Sequence, residues 1–407
     1  MIHRSKSIGL LFALLLTLSL ILSSCASPAT PVASVATEAS QPQVEPTVAP
    51  IAATAQEMPT EVPTMVPEVK FKAAFIYSSP IGDMGWSYSI DQTRQLVEKE
   101  LGIETAYVEN VKEGSPDAER IIRDFAQKGY NAIFACSGGY KDAMENAAKD
   151  FPNTYFAAAS GYVATENLGH YVGRTYQARY LAGMVAALMT KTNKLGYVGG
   201  MQTADVIVGI NAFTLGALSV NPDVKVHVVW VDSWYDPVKE ADAANALLEQ
   251  GADVLTYHAN STSTIKSAAA AGKYAIGYPS DMTSVAPEAV LTSSMYTWEG
   301  YFIPIIKEMM AGKWVDKEVY WGIEHGMVGL GPYNDVVPQN VRDQVDAISA
   351  KFVDGTFEVW WGPIYGQNGE LSIAEGTKLG PKEIRSIDWF VQGVEGTAPG
   401  KPPVVNP

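Results

Sequence analysis

The chain has 407 residues, a formal net charge of −15 at neutral pH and only 2 cysteines. Nucleic acid and anionic lipid surfaces would repel such a chain, so the charge argues against binding to either through a basic patch. Apolar residues make up 47% of the sequence, which is typical of a folded globular protein.

The N-terminus has the pattern of an exported lipoprotein. A short basic start precedes an apolar run from Leu10 to Leu22, and small residues then precede Cys25. The run is too short to span a bilayer comfortably, since a transmembrane helix needs about 20 apolar residues. We predict that residues 1–24 are a signal peptide, with a plain secretory signal as the alternative. The resemblance to bacterial lipoprotein signals implies that Cys25 carries the lipid.

A linker follows the cysteine. Residues 25–69 are rich in Ala, Pro, Thr, Ser and Val and lack helical or strand periodicity, which favours a disordered stalk. The remaining body, about 330 residues, is longer than one hydrophobic core usually organises, so we expect two domains. Cys136 is the only cysteine besides Cys25, so no intramolecular disulfide is expected, and its apolar neighbours predict a buried thiol.

Short β-branched or aromatic runs alternate with amphipathic stretches along the body. The runs predict parallel strands at 72–77, 105–108, 132–136, 154–158, 194–198, 225–231, 253–257 and 274–277. Helices over 117–128 and 238–250 each follow a capping residue and a proline. This alternation predicts an α/β fold with helices on both faces of a parallel sheet. A loop-rich interval at 168–174 favours two such sheets joined by a hinge.

The loops that follow the predicted strands are unusually aromatic. Ligands of open α/β sheets bind at the carboxyl ends of the strands. There the chain combines aromatic rings with Asp, Asn and Ser, at 78–88, 137–140, 232–236, 258–263 and 279–282. Such rings can stack on a planar polar ligand while the polar groups bond its edge. Sugars also stack on such rings, and a single loop tryptophan could equally cap a domain core.

Enzymatic motifs are missing from the sequence. It contains no dinucleotide fingerprint, no Walker A motif and no Gly-x-Ser-x-Gly elbow, and its 5 histidines lack metal-ligand spacing. His258 could contact a ligand or make a structural hydrogen bond. Asp83 and Asp281 could form an acid/base pair, but without a nucleophile or metal, binding roles fit them better. We predict no catalytic residue, no metal and no cofactor.

Seven different short segments of the body, each present once, carry a resemblance to a known family through their order. They are Gly82–Trp86, Arg179–Gly183, Gly196–Gly200, Asn211–Gly216, Trp234–Pro237, Gly277–Met282 and Asp388–Val394. In these segments the chain resembles the basic membrane protein (Bmp) family of ABC-transporter substrate-binding lipoproteins, also described as purine-nucleoside receptor lipoproteins. The likeness extends from about Lys72 to Gly396 and depends on the order and spacing of the segments.

The resemblance implies a type I periplasmic-binding-protein fold, with two doubly wound α/β lobes, a hinge of three crossovers and a ligand cleft between the lobes. The first two crossovers are expected near 174–176 and 291–296. The implied divisions are an N-terminal lobe (70–175 plus about 292–325), a C-terminal lobe with a docked tail (176–291 plus about 326–396) and a disordered end (397–407).

The resemblance also implies a function. The protein would be lipid-anchored at the cell membrane, facing the periplasm or the exterior, and would deliver a purine base or nucleoside to a permease driven by a separate ATPase. We expect a monomer. Alternatives are a binding protein for a sugar or other small polar solute, a ligand-sensing lipoprotein and, least favoured, a nucleoside-cleaving enzyme.

The family pattern, carried onto this sequence, makes Asp83 the first-loop carboxylate and Trp86 the stacking ring. Many nucleoside-binding members have an Asp-x-Ser-Phe-Asn pattern there, and the Trp version is similar to the branch associated with free bases such as adenine. That branch more often carries Asp at the position of Asn260. The predicted ligand contacts are Asp83, Trp86, Tyr88, Tyr140, Tyr176, Asn211, Trp234, Asn260 and Asp281.

Overall fold

The computed structural model describes residues 70–161, 163–315 and 317–400. Outside these ranges lie the segments assigned above to export and anchoring, and the last residues of the chain: the signal peptide (1–24), Cys25, the linker (25–69) and 401–407. Among the described residues, none of the helices is both long enough and apolar enough to cross a bilayer.

Short strands and longer helices alternate along the described chain. The strands are β1 (Lys72–Ile76), β2 (Glu104–Val108), β3 (Ala132–Ala135), β4 (Tyr155–Ala159), β5 (Leu168–Gly173), β6 (Lys194–Gly199), β7 (Lys225–Trp230), β8 (Val254–His258), β9 (Tyr274–Gly277), β10 (Val290–Tyr296), β11 (Glu318–Trp321), β12 (Val328–Leu330), β13 (Ile364–Tyr365), β14 (Leu371–Ile373) and β15 (Val394–Glu395). The α-helices are α1 (Trp86–Leu101), α2 (Pro116–Gln127), α3 (Lys141–Asp150), α4 (Thr175–Met189), α5 (Ala204–Val220), α6 (Pro237–Glu249), α7 (Ser263–Ala270), α8 (Glu299–Met310), α9 (Gln339–Val353) and α10 (Pro381–Ile384).

The strands form two large sheets of the same design. The first sheet has the order β11-β5-β4-β3-β1-β2, and all its pairings are parallel. The second sheet has the order β12-β10-β9-β8-β6-β7-β15, in which only β10 and β12 pair antiparallel. In each sheet the strand order reverses beside the first strand in sequence, β1 or β6. Such switch points open a crevice at the carboxyl ends of the strands.

Both sheets are covered on both faces, because successive side chains of a strand point to opposite sides. In β1, Phe75 packs with Phe302 of α8 at 5.4 Å between ring centroids, whereas Ile76 belongs to the buried cluster that contains Ile122 of α2. In β6, Tyr197 packs with Phe213 of α5, on the face that α4 also covers. These two-faced cores confirm the predicted α/β class with parallel sheets.

The predicted helix starts are confirmed in their capping. The Ser115 hydroxyl accepts a hydrogen bond from the Ala118 N–H at 3.3 Å, and the Asp236 carboxylate accepts one from the Lys239 N–H at 3.1 Å. In each helix, α2 and α6, a proline occupies the first turn. The sequence therefore determined these helix starts through local hydrogen bonding alone.

The interval 168–174 is not a loop, in contrast to the prediction. Its first six residues form β5, a mostly buried strand between β4 and β11. The two glycines of β5 weaken its strand signal, but Gly169 meets a packing need. A Cβ at that position would lie 2.6 Å from the Trp314 ring, so only glycine lets the indole approach the strand.

The first crossover between the sheets lies near its expected position, but the second does not. The chain leaves the first sheet after Gly173, close to the predicted point. It stays in the second sheet through Tyr296, because β10 pairs with β9, so residues 292–296 do not belong with the first sheet. The return lies at 297–298, before α8, and the third crossover lies between β11 and β12.

The C-terminal segment, residues 360–396, packs on the second sheet. Its strand β15 pairs with β7, and Trp360, Trp389 and Phe390 are buried in the same cluster as α4 and α5. Asn211 of α5 ties the segment down: its amide donates to the Trp389 carbonyl at 2.8 Å and accepts from the Val391 N–H at 3.1 Å. The segment is therefore an integral part of the second half of the molecule.

The hydrogen bonding continues past this segment. The Trp230 indole donates to the Thr397 carbonyl at 2.9 Å, and the Gly400 N–H donates to the Asp388 carbonyl at 2.7 Å. Residues 397–400 were expected to belong to a disordered end. Instead, the Thr397 carbonyl and the Gly400 N–H are hydrogen-bonded to the body.

Asn211→Ala should lower the free energy of unfolding by about 2–4 kcal/mol, because it leaves two buried backbone groups without partners at about 1–3 kcal/mol each. Urea denaturation of the protein lacking its signal peptide measures this change. Asn146→Ala is the matched control, since that exposed amide bonds only on the surface, and should change stability by less than about 0.5 kcal/mol. Equal losses in the two variants would contradict the tie.

Candidate ligand-binding site

A cavity of about 400 Å³ lies where the carboxyl ends of the two sheets face each other. Loops after β1, β3 and β4 line it from the first sheet, and loops after β6, β7, β8 and β9 line it from the second. Its size falls within the range of about 300–1,000 Å³ that is usual for small-molecule sites. The cavity therefore occupies the place that the switch points of both sheets predict.

The two halves touch at Gly85 and Asn260. A Cβ on Gly85 would lie 2.7 Å from the Asn260 carbonyl oxygen and 2.9 Å from its Cβ. No larger residue fits there without moving the Asn260 loop. The contact brings Asn260, which lines the cavity, against the loop that precedes Trp86.

Asp83 shapes the first loop and does not line the cavity. Its carboxylate accepts hydrogen bonds from the Gly85 N–H at 2.7 Å, the Tyr88 N–H at 3.2 Å and the Ser79 hydroxyl at 2.7 Å. Burial raises the pKa of Asp83 and these hydrogen bonds act against the rise. The carboxylate thus holds the turn into α1 and orients that helix's first residue, Trp86.

Trp86 presents its ring to the cavity in a fixed orientation. Its indole N–H donates to the Cys136 carbonyl at 2.6 Å, and its ring meets Tyr296 and Trp298 edge to face at 5.1 and 5.0 Å between centroids. Because the N–H is already bonded, Trp86 offers a ligand its aromatic surface rather than a hydrogen bond.

The opposite wall comes from the second sheet. The Tyr278 hydroxyl and the His258 Nε2 lie 2.9 Å apart in a hydrogen bond, and the Trp234 ring centroid lies 6.3 Å from that of His258. The Asn260 N–H donates to the Trp234 carbonyl at 2.8 Å. This bond fixes the backbone of Asn260, whose side chain lines the cavity with Trp234.

Arg179 supports this wall from beneath. It is fully buried, donates to the Tyr257 carbonyl at 2.9 Å, and its guanidinium lies 4.1 Å from the centre of the Tyr278 ring. The resulting cation–π contact holds the tyrosine in place. Burial, and then the charge of Arg179, lowers the pKa of His258 well below its usual value, so His258 is neutral near pH 7.

Asp205 is a carboxylate that lines the cavity, as Glu113 also does. It lies in the first turn of α5, 3.5 Å from the His258 Nε2, and its side chain is 52% exposed. Desolvation raises its pKa, while the charges of Arg179 and Arg385 oppose the rise. Since His258 is neutral, Asp205 keeps its acceptor capacity for a ligand.

Four of the nine predicted contacts meet at the cavity: Trp86, Tyr176, Trp234 and Asn260. Trp86, Trp234 and Asn260 lie in or just after the loops that follow β1, β7 and β8, where the strand-end rule looks for ligand contacts, whereas Tyr176 lies in α4.

The other five predicted contacts do not line the cavity. The side chains of Asp83 and Asn211 make the hydrogen bonds to protein groups that are described above. The Tyr140 hydroxyl is buried and donates to the Val111 carbonyl at 2.5 Å. Asp281 is exposed and accepts from the N–H and hydroxyl of Thr283 at 2.9 and 2.6 Å, and Tyr88 lies half-buried on α1.

Sequence reasoning missed several polar lining residues, among them Glu113, Asp205, Tyr320 and Arg385. Asp205 could have been found, because it follows the end of β6 and the strand-end rule applies there too. Glu113, which is hydrogen-bonded by the Ser137 hydroxyl, follows β2 in the same way. Nothing local marks Arg385, which reaches the cavity from the C-terminal segment.

Residues 70–359 match the family described as ABC transporter substrate-binding protein PnrA-like, abbreviated Bmp. The chain belongs to the Bmp family. A purine-binding protein of Brucella abortus is 40% identical over 334 residues, 82% of this chain and 95% of that protein. A proposed ABC transporter glucose-binding protein of Haloferax volcanii is 36% identical over 330 residues, 80% of this chain and 81% of that protein.

Solved structures agree on the fold of this Bmp family member. A solute-binding protein of an ABC transporter system from Conexibacter woesei superposes with a TM-score of 0.60 at 23% identity, over 71% of this chain and 98% of that one. The predicted type I periplasmic-binding-protein fold is confirmed. Membership also means a substrate-binding rather than enzymatic family, a small-molecule ligand, a permease partner and a place outside the cytoplasm in association with the membrane.

Acidification from pH 7.5 to 5 should destabilise the protein through His258. Its pKa is depressed in the folded state, so the unfolded state binds the proton more readily and stability falls as the pH drops below about 6.5, by at most about 1.4 kcal/mol per pH unit for one group. His258→Gln should reduce this slope in urea denaturation. His227→Gln, outside the cavity on β7, is the matched control. A slope unchanged in His258→Gln would contradict the assignment.

Proposed function

We propose that this protein captures a purine nucleobase or nucleoside, with an adenine-type base favoured, and delivers it to an ABC permease energised by a separate ATPase. The observation that carries the proposal is the arrangement of Trp86 in one half with Asn260 and Asp205 in the other. A flat base needs an aromatic surface for its face and polar groups for its edge, and these residues supply both. The purine-binding relative at 40% identity supports the same ligand class.

The polar groups suit the edge of adenine. An Asn amide both donates and accepts, and it pairs with the N6 and N7 atoms of adenine in many complexes. The Asp205 carboxylate can accept from an exocyclic amine. An aromatic stack contributes about 0.5–1.5 kcal/mol beyond burial, and a hydrogen bond to a charged group about 1.5–3 kcal/mol.

A sugar is the second candidate. The relative from Haloferax volcanii carries the name of a proposed glucose-binding protein, and aromatic rings such as Trp86 and Trp234 also pack on sugar rings. A sugar presents hydroxyls all round its edge, whereas a purine presents a few fixed donors and acceptors. Titration with both classes separates the two functions.

Trp86→Ala should weaken adenine binding at least tenfold, because it removes a ring held by one hydrogen bond and two edge-to-face contacts and opens a gap beside the ligand. Isothermal titration of protein refolded to remove bound ligand, with adenine, adenosine, ribose and glucose, measures the change. Trp361→Ala is the control, since that ring is 54% exposed and outside the cavity. Glucose binding without adenine binding would favour the sugar function, and unchanged adenine affinity in Trp86→Ala would exclude Trp86 as the stacking surface.

We also propose that the protein acts as a monomer held at the membrane by lipid on Cys25, with residues 25–69 as its tether. The apolar run and the small residues before Cys25 support this anchor. A lipid anchor keeps the binding protein close to its permease, which raises the effective concentration of each for the other.

Cys25→Ser should move the protein from the membrane fraction to the soluble fraction, because the modified sulfur is lost. Cell fractionation with intact-mass analysis of the product measures both location and acylation. Cys136→Ser is the matched control: Cys136 is fully buried, burial raises its pKa to about 12, and the variant should stay with the membrane. Membrane retention of Cys25→Ser would contradict the anchor.

A further inference from the structure

The C-terminal segment (360–396) reaches the ligand cavity. The match covers residues 70–359, yet Ile384 and Arg385 line the cavity. The segment therefore adds a cationic side chain to a site whose other described lining residues include the carboxylates Asp205 and Glu113.

The segment holds Arg385 in a defined place. Ile384 and Ile387, on either side of it, are 2% and 3% exposed, so the turn that carries the arginine is seated in the core. Phe390 stacks on Trp230 with an interplanar angle of 4°, and β15 pairs with β7. Together with the Asn211 bonds, these contacts fix the segment to the second sheet.

The same segment supports a second wall residue. The Trp360 ring meets the ring of Tyr176, which lines the cavity, at 6.2 Å between centroids and 70°. The segment thus acts on the cavity twice, by supplying Arg385 and by backing Tyr176.

Arg385 lies where the two halves meet. Its charge opposes the rise in pKa of two groups from different halves of the molecule: Asp205 of α5, which packs on the second sheet, and Tyr320 of β11, a strand of the first sheet. Tyr320, Asp205 and Arg385 all line the cavity. A guanidinium at this junction can contact a ligand enclosed by both halves.

We propose that the C-terminal segment completes the ligand site, with Arg385 donating a hydrogen bond to a ring nitrogen of the purine while Asp205 accepts one from its exocyclic amine. This inference rests on the function proposed above. A guanidinium only donates and a carboxylate only accepts, so the pair selects a ligand whose edge carries both an acceptor and a donor. An aminopurine has that edge.

The experiment pairs a side-chain change with a change in the ligand. Parent, Arg385→Ala and Lys382→Ala are titrated with adenine and with its 1-deaza, 3-deaza and 7-deaza analogues, each of which lacks one ring acceptor. Lys382 is the matched control, because it is exposed on the same short helix and does not line the cavity. Melting temperatures of the ligand-free proteins check folding, and Arg385→Gln, which keeps an uncharged N–H donor on a shorter side chain, is the second variant should the alanine variant not fold.

We expect Arg385→Ala to weaken adenine binding at least tenfold and Lys382→Ala to leave it unchanged. One deaza analogue should bind the parent at least tenfold more weakly than adenine, because it lacks the nitrogen to which Arg385 donates. In Arg385→Ala the difference in affinity between adenine and this analogue should fall below about threefold, because the donor is absent. In Arg385→Gln this difference in affinity between adenine and the analogue should be smaller than in the parent and larger than in Arg385→Ala.

Two results would overturn the inference while leaving the proposed function intact. One is adenine affinity unchanged in Arg385→Ala, and the other is an equal loss for adenine and all three analogues. Absence of adenine binding by the parent would overturn the inference and the proposed ligand class together.

Discussion

The contact between Gly85 and Asn260 is the constraint on which the cavity depends. With a Cβ 2.7 Å from the Asn260 carbonyl, the two halves could not approach as they do, and Trp86 would stand away from the opposite wall. Asp83 also supports this contact, because its carboxylate accepts hydrogen bonds from the Gly85 and Tyr88 N–H groups and so determines the path of the loop that contains Gly85. One glycine and one buried carboxylate therefore determine how closely the loop before Trp86 approaches Asn260.

Polar residues near the cavity divide into two groups with different physical tasks. Asp83, Tyr140 and Asn211 are buried, and their side chains are hydrogen-bonded to groups of the protein. A polar group that is already bonded in the interior gains little from a ligand, and removing its protein partner is costly. Asp205 and Asn260 keep polar atoms at the cavity surface and remain available to a ligand. A carboxylate in a family motif can thus serve the loop rather than the ligand.

Much of the architecture could be predicted because its signals are local. Apolar runs of four to seven residues predicted most of the strands of both sheets, and Ser115 and Asp236 located helix starts through their own hydrogen bonds. The strand β5 was missed because Gly169 weakens its strand signal. The glycine is needed there because the ring of Trp314, which is distant in sequence, packs against the strand. The strand β10 was not predicted, and a crossover was expected at 291–296, because only the pairing of β10 with β9 assigns these residues to the second sheet.

By itself the sequence determined the alternation of strands and helices, the helix caps, the aromatic character of the strand-end loops and the family resemblance. These depend on side-chain chemistry and spacing within short stretches of chain. Only the tertiary structure decided which of those side chains face the cavity, because that depends on side-chain direction and on partners from distant segments. Asn211 bonds Trp389 instead of lining the cavity, and Arg385 lines the cavity together with Asp205 only because the C-terminal segment packs against α5.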